Sequence, residues 1–432
     1  MSVPVRYAPV PVDSSLITNV EFWRRPLADR MRVFADWRKA SAFVHGHEEE
    51  AIFGQTLDFY GAIRHAEVLE ISRRPVEFCS GRGSTAIIDL PVDALEYFSS
   101  IIVMDDPRHA RQRGIVSRKF TPRHLQGLLA SVERVCTEVL DGISERGEAD
   151  FVSAVSEPFP LLVICDMLGI PRSEFSTVLR CTNVILGAGD AEALGGRDDV
   201  FAAIIEAGVE LTGLLTELVE DRREHPRDDL TTALVHTDVG EDWLRPEELA
   251  PFFVLLTTAG NDTTRNAISH GVHLLAQFPD QKDAWRNDLD SMTSTAVEEI
   301  LRMASPVTYM RRTATRDVVL AGHEFSEGDK LVLFYGAANR DPRVFADPER
   351  LDLRRQPNPH VAFGGPGPHF CLGAHLARRE MAVLFRQLLT RLPDLEPSAE
   401  PELLQSRAIP LVGGIKRLPV RFTPAPRIAV AG

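Results

Sequence analysis

The residue types most able to do chemistry converge on one cysteine, in the stretch His360-Val-Ala-Phe363-Gly-Gly365-Pro-Gly367-Pro-His369-Phe370-Cys371-Leu-Gly373. From there Leu376, Val383, Leu384 and Leu388 recur at helical intervals, so the loop delivers Cys371 to a helix start. Unpaired amides and the helix dipole at such a point favour negative charge on sulfur. Gly365, Gly367 and Gly373 remove side chains on both sides, leaving room for something broad and flat against the backbone. A second constellation is Thr257-Thr258-Ala259-Gly260-Asn261-Asp262-Thr263-Thr264-Arg265-Asn266. It interrupts an apolar helical pattern over 249–275, on the order of 40 Å long at 1.5 Å per residue. Gly260 is worth about 1 kcal/mol less than alanine in a helix interior, and hydroxyls that compete for carbonyls open a helix locally. A gap beside that polar pair admits a small ligand and a water.

Three further sets follow. His109 and Arg113 lie four apart after Pro107, which suits a first helical turn. Glu299 and Arg302 form an i,i+3 pair on a helix predicted over 295–303. Arg312 follows Tyr309-Met-Arg311 after Pro306.

Taken together, these motifs resemble the cytochrome P450 family. The resemblance spans roughly residues 59–420 through at least five ordered motifs. It implies a mainly α, triangular helical prism with a small β-rich region, holding haem b noncovalently, Cys371 ligating its iron and O2 as co-substrate. It assigns His109, Arg113 and Arg312 to the haem propionates, and His369, Phe363, Gly365, Gly373, Ala259 and Gly260 to the rest of the cofactor site. Asp262 becomes the proton relay and Thr263 the stabiliser of activated oxygen. Glu299, Arg302 and Arg350 become a buried structural triad. The substrate pocket is expected to draw on Phe98, Ile101, Leu186, Leu255, Thr258, Val307, Tyr309 and Val412. Two departures stand out: Phe363 lies one residue further from Cys371 than in the commonest pattern, and Leu351 replaces a usual aromatic.

Finer features, among them Ala259-Gly-Asn-Asp-Thr-Thr-Arg-Asn and Pro357-Asn-Pro-His360, look like the actinobacterial methyl-branched lipid omega-hydroxylases. Relatives of that branch oxidise the side-chain terminus of sterols. The implied reaction is hydroxylation of a C–H bond, terminal in that branch, of a lipid, terpenoid or steroid-like substrate. The alternative is tailoring of a polyketide or terpene, since Thr257-Thr258 and the 79–96 and 406–414 segments depart where substrate would touch. A non-catalytic haem carrier or sensor would not need Asp262-Thr263, and a scaffolding protein would not need the cysteine loop. Electrons are expected from a ferredoxin and its reductase, with Arg111, Arg118, Lys119, Arg123 and Arg379 as a local docking patch.

Composition bounds the rest. A net charge of −14 argues against nucleic acid, because phosphate binding needs a basic face. No apolar run reaches spanning length and no basic-then-apolar leader opens the chain, so a soluble, cytoplasmic monomer is expected. Five scattered cysteines with no CxxC pair suggest neither zinc nor a disulfide framework. Residues 1–18 read as a loosely held arm before a single catalytic domain over 19–432. Apolar periodicity predicts helices over 27–41, 124–146, 159–168 and 201–220, and strands within 51–64, 317–320 and 330–335. Residues 45–50 read as an acidic turn, 79–103 as a lid, and 182–190 as a mobile roof.

Overall fold

The computed structural model describes residues 15–49, 55–89, 100–120, 126–187, 190, 192–236, 244–405 and 409–428. Phe98, Arg123 and most of the region expected to form the lid tip fall outside these residues.

Helices dominate. In chain order they include α1 (Leu27–Ala40), α2 (His65–Arg73), α3 (Arg108–Ser117), α4 (Leu129–Ser144) and α5 (Pro158–Leu168). There follow α6 (Phe175–Leu186), α7 (Val200–Glu224), α8 (Pro246–Gln277), α9 (Leu289–Ala304) and α10 (Ala374–Arg391). α8 is the axis of the molecule and packs against α5, α6, α7, α9 and α10. Its sequence explains this position: α5 is apolar nearly all round and is buried by α8, whereas α4 is apolar on one face only. Gly260 is explained by packing. A Cβ there would lie 2.6 Å from Ile164 Cδ1 of α5, so the glycine lets the two helices approach. The threonine hydroxyls do bond backbone carbonyls four residues back, yet α8 runs unbroken.

The β region is a five-stranded sheet in the order β1-β2-β8-β5-β3. It comprises β1 (Phe43–Glu48), β2 (Leu57–Ala62), β3 (Phe78–Cys79), β5 (Tyr309–Ala314) and β8 (Lys330–Phe334). β4 (Glu148–Asp150) belongs to a separate three-stranded sheet. β6 (Val318–Leu320) and β7 (His323–Phe325) form a hairpin. One expectation is corrected here. Residues 43–48 are a strand rather than a turn, because alternate residues Val44 and Gly46 sit in the core against β2. β8 lies between β2 and β5.

The end of the expected arm is tied down: Ile17 is fully buried, and a Cβ on Gly46 would meet it at 2.9 Å. The 82–89 part of the lid is held by Arg311, whose guanidinium bonds Asp89 at 2.7 Å and the Arg82 carbonyl at 2.6 Å. Beyond the helical end of the expected roof, buried Asp190 is anchored by Lys416 at 3.0 Å.

α10 carries a buried acid, Glu380, with Oε1 lacking a partner. Burial raises its carboxyl well above the ordinary value, so the folded protein holds a proton that the unfolded chain releases near pH 4. The stability this proton contributes is fully present below that value and declines as pH rises through the folded-state value. Glu380→Gln removes the dependence. The denaturation midpoint of the variant should gain on wild type with rising pH, by up to about 1.4 kcal/mol per pH unit. A gap constant between pH 6 and 9 would show that the carboxyl is not held protonated.

Candidate active site

Cys371 is the exposed one among the five cysteines; Cys79, Cys136, Cys165 and Cys181 are buried. Its loop is closed by the Cys371 amide donating to the Phe363 carbonyl at 2.9 Å. Phe363 is held in turn by the Arg378 guanidinium, 4.4 Å above its ring. Arg378 and His360 both grip Glu298, at 2.5 and 2.9 Å, and pull its carboxyl down to about 2 against its burial. This brace fixes the loop to α9 and was not evident in the sequence. The protein around Cys371 raises its thiol, while the Gly373 and Ala374 amides, Arg113 and Arg378 act in the opposite direction.

Four basic groups from three chain segments meet beside the cysteine. His109 (α3) and His369 stack with ring centroids 4.4 Å apart. Arg113 donates to the Phe370 carbonyl. Arg312 (β5) is buried, and among the described residues its guanidinium has one acceptor, the Arg311 carbonyl at 2.8 Å. Burial, then Arg312, His109 and Arg113, push His369 down to about 3. His109 is lowered by burial and Arg113, and its Nε2 is buried with no partner among the described residues. His109 Nδ1 lies 3.4 Å from Asp106, while Arg113 and Arg312 reach only backbone carbonyls; the two carboxylates of a porphyrin match such a set of donors.

α8 presents a partly open stripe of Leu255, Leu256, Ala259, Gly260 and Thr263, spaced at helical intervals on one face. The small Ala259 suits the face of a flat ring, whereas Gly260 is corrected, since the space a Cβ would fill there belongs to Ile164 of α5. A Cβ on Gly373 would meet nothing within 4 Å. The residues present therefore fit haem. Gly365 is corrected: a Cβ there would lie 2.5 Å from Ser72 Oγ of α2, so it serves packing between loop and helix, and Gly367 meets the same helix.

Asp262 is buried beside this stripe, 3.2 Å from Arg265, which bonds Glu157 at 2.7 Å and Asn183 at 2.9 Å. Burial raises the Asp262 carboxyl, against the lowering by Arg265. Thr263 Oγ1 donates to the Ala259 carbonyl at 2.7 Å.

Val307 and Val412 meet as an isolated bridge, Leu255 is partly buried against the main core, and Leu186 is partly buried. Thr258 is buried with its hydroxyl on the Val254 carbonyl at 2.7 Å, and Ile101 belongs to the main core. Tyr309 is corrected. Alternation along β5 puts it on the face opposite Arg312, packed with Phe334 in a second core cluster.

The triad is also corrected. Glu299 accepts from Arg302 at 2.8 Å and from Arg355 Nε at 3.1 Å to each carboxylate oxygen. Arg350 points outward to Asp280 at 3.5 Å, both well exposed, while Leu351 takes the buried position. Asn358 and the Asp352 amide complete the shell around Glu299. No local signal distinguishes Arg355 from its neighbours.

Of the expected docking residues, Arg379 is exposed on α10 and Arg118 follows α3. Arg111 is paired with Glu248, and the Lys119 side chain lies outside the described set. No helix among the described residues is long and apolar enough to cross a membrane.

Residues 200–408 match the family model for Cytochrome P450. The chain is 42% identical over 427 residues, 96% of each chain, to a Mycobacterium tuberculosis methyl-branched lipid omega-hydroxylase. It is 35% identical to a Mycolicibacterium smegmatis steroid C26-monooxygenase, over 85% of this chain and 84% of that one. A Mycobacterium marinum cytochrome P450 solved in complex with pseudoionone superposes with a TM-score of 0.89. It is 36% identical, with 96% of this chain and 99% of that chain covered. Similarity of this depth, spread over nearly the whole length, accompanies a shared fold and a shared cofactor chemistry: the chain belongs to the cytochrome P450 family.

Proposed function

We propose that this monooxygenase inserts one O2-derived oxygen atom into the terminal C–H bond of a methyl-branched lipid. The observation that supports this reading is the basic cluster of His109, Arg113, Arg312 and His369 beside the Cys371 loop, together with the partly open Leu255-Ala259-Thr263 stripe of α8. The choice of lipid follows the relative at 42% identity over the steroid-oxidising one at 35%. Electrons come from a ferredoxin and its reductase, and the enzyme works as a cytoplasmic monomer.

Cys371 would hold haem b, which would supply O2 activation, a thiolate ligand donating electron density that favours O–O cleavage. The chain does the rest. His109, Arg113, Arg312 and His369 bind the propionates and fix the ring plane. Ala259 would leave space on the distal face, and Val307, Val412 and Leu255 would hold the aliphatic chain and exclude water. The Thr263 proton is engaged on the Ala259 carbonyl, so Oγ1 presents lone pairs to the open side and accepts a hydrogen bond there. Asp262, reached from half-buried Glu157 through Arg265, carries protons inward by its carboxyl.

The test is a holoenzyme assay with reduced ferredoxin, 18O2 and a methyl-branched fatty acid. One labelled oxygen is expected at the terminal carbon. Thr263→Ala should lower product per electron by about tenfold, ~1.4 kcal/mol, with peroxide rising to match, while Thr263→Ser retains coupling. Unlabelled product, or unchanged coupling in Thr263→Ala, would overturn the reading.

A further inference from the structure

A cavity away from the cysteine is lined by Trp23, Arg30 of α1, His270 of α8, Ser305, Thr308 and Gly413 among others. It offers about 20 Å³ to the centres of water-sized particles, more than the ~10–15 Å³ that one water needs. Its chemistry is one-sided. Arg30 is 7% exposed, and among the described residues its Nε is buried without a partner and no acidic residue lines the cavity. Its other contact is with the face of Trp23, 5.7 Å from the ring centroid. A buried guanidinium without a counter-charge is strongly unfavourable, so this position calls for an anion.

The surroundings supply donors for one. A Cβ on Gly413 would lie 3.8 Å from Arg30 Nη2 and 3.2 Å from Thr308 Oγ1, so guanidinium and hydroxyl converge at that turn. The Thr308 hydroxyl has no partner among the described residues. Burial, then His273, Arg30 and Arg340, push His270 down to about 3, as expected beside positive charge with no acid near. Arg340 spends its own charge on Glu349, at 3.2 Å.

We propose that this cavity is a binding site for a small monovalent anion: the carboxylate of the lipid substrate, or a free halide. The first source rests on the function proposed above and has a geometric basis. His270 lies seven residues beyond Thr263 on α8, about 10 Å along the axis. Thr308 and Gly413 directly follow Val307 and Val412, the bridged pair assigned to the substrate chain. An acid anchored at Arg30 would thereby present its far end, rather than its middle, toward Thr263.

Two measurements on the holoenzyme test this. Wild-type crystals soaked in sodium bromide should show an anomalous peak between Arg30 and His270, lost in Arg30→Gln. The second measurement is the ratio of dissociation constants for a methyl-branched fatty acid and its methyl ester, read from the substrate-induced spin shift. If the substrate carboxylate occupies the site, Arg30→Gln should raise that ratio at least tenfold, while Arg30→Lys raises it less. A bromide peak with an unchanged ratio assigns the site to a free anion. No peak together with an unchanged ratio overturns the proposal, and does so even if terminal hydroxylation by the wild-type enzyme is intact.

Discussion

Cys371→Ser is expected to abolish the red-shifted carbon monoxide band of the reduced enzyme and to bring turnover to background. Sulfur is the soft, electron-donating ligand in this position, and a serine oxygen offers neither property. No other cysteine can substitute. Cys136, Cys165 and Cys181 are buried, and burial raises their thiols, to about 12 for Cys165 and about 11 for Cys181. Cys79 is paired into the sheet through β3 and is raised by burial as well. The loop itself should survive the change, because its closure rests on the Cys371 amide and the Phe363 carbonyl rather than on sulfur. The measurement is a reduced-minus-oxidised carbon monoxide spectrum with haem content determined separately. Retention of the red-shifted band would assign the iron to a different ligand.

Glu299→Ala is expected to destabilise the fold by about 3–5 kcal/mol, because it leaves two buried guanidinium groups uncompensated. Glu299 and Arg302 have no exposed side-chain surface, and the Arg355 side chain is 9% exposed. The carboxylate also accepts from the Asp352 amide at 3.0 Å and from Asn358 Nδ2 at 3.1 Å, so its loss orphans donors from the whole 350–358 turn. Arg355→Ala should approach the same magnitude. Arg350→Ala should stay within about 0.5 kcal/mol, since an exposed pair contributes little and its backbone carbonyl still serves Arg302 and Arg355. Denaturant midpoints of the three variants decide the matter. Equal losses in Arg350→Ala and Arg355→Ala would restore Arg350 to the triad.

What the sequence alone determined is what depends on short-range spacing. The cysteine loop, the start of α10, the His109–Arg113 pair and the Ala259–Thr264 segment are each contiguous, and contiguous spacing translates directly into a helix face or a turn. Long amphipathic helices such as α4 and α7 were legible for the same reason, although their ends moved by a few residues. Tertiary structure decided whatever depends on residues far apart in the chain. Arg355 rather than Arg350 reaches Glu299 because the turn after Pro348 aims one arginine outward and folds the other back, and no periodicity records that. Gly260 and Gly365 are needed by Ile164 and Ser72, which lie 96 and 293 residues away. The face that Tyr309 presents is set by the register of β5 against β8. The unpaired charge of Arg30 likewise becomes visible only when α1, α8 and the 413 turn close around it, since burial and missing partners are properties of packing rather than of order along a chain.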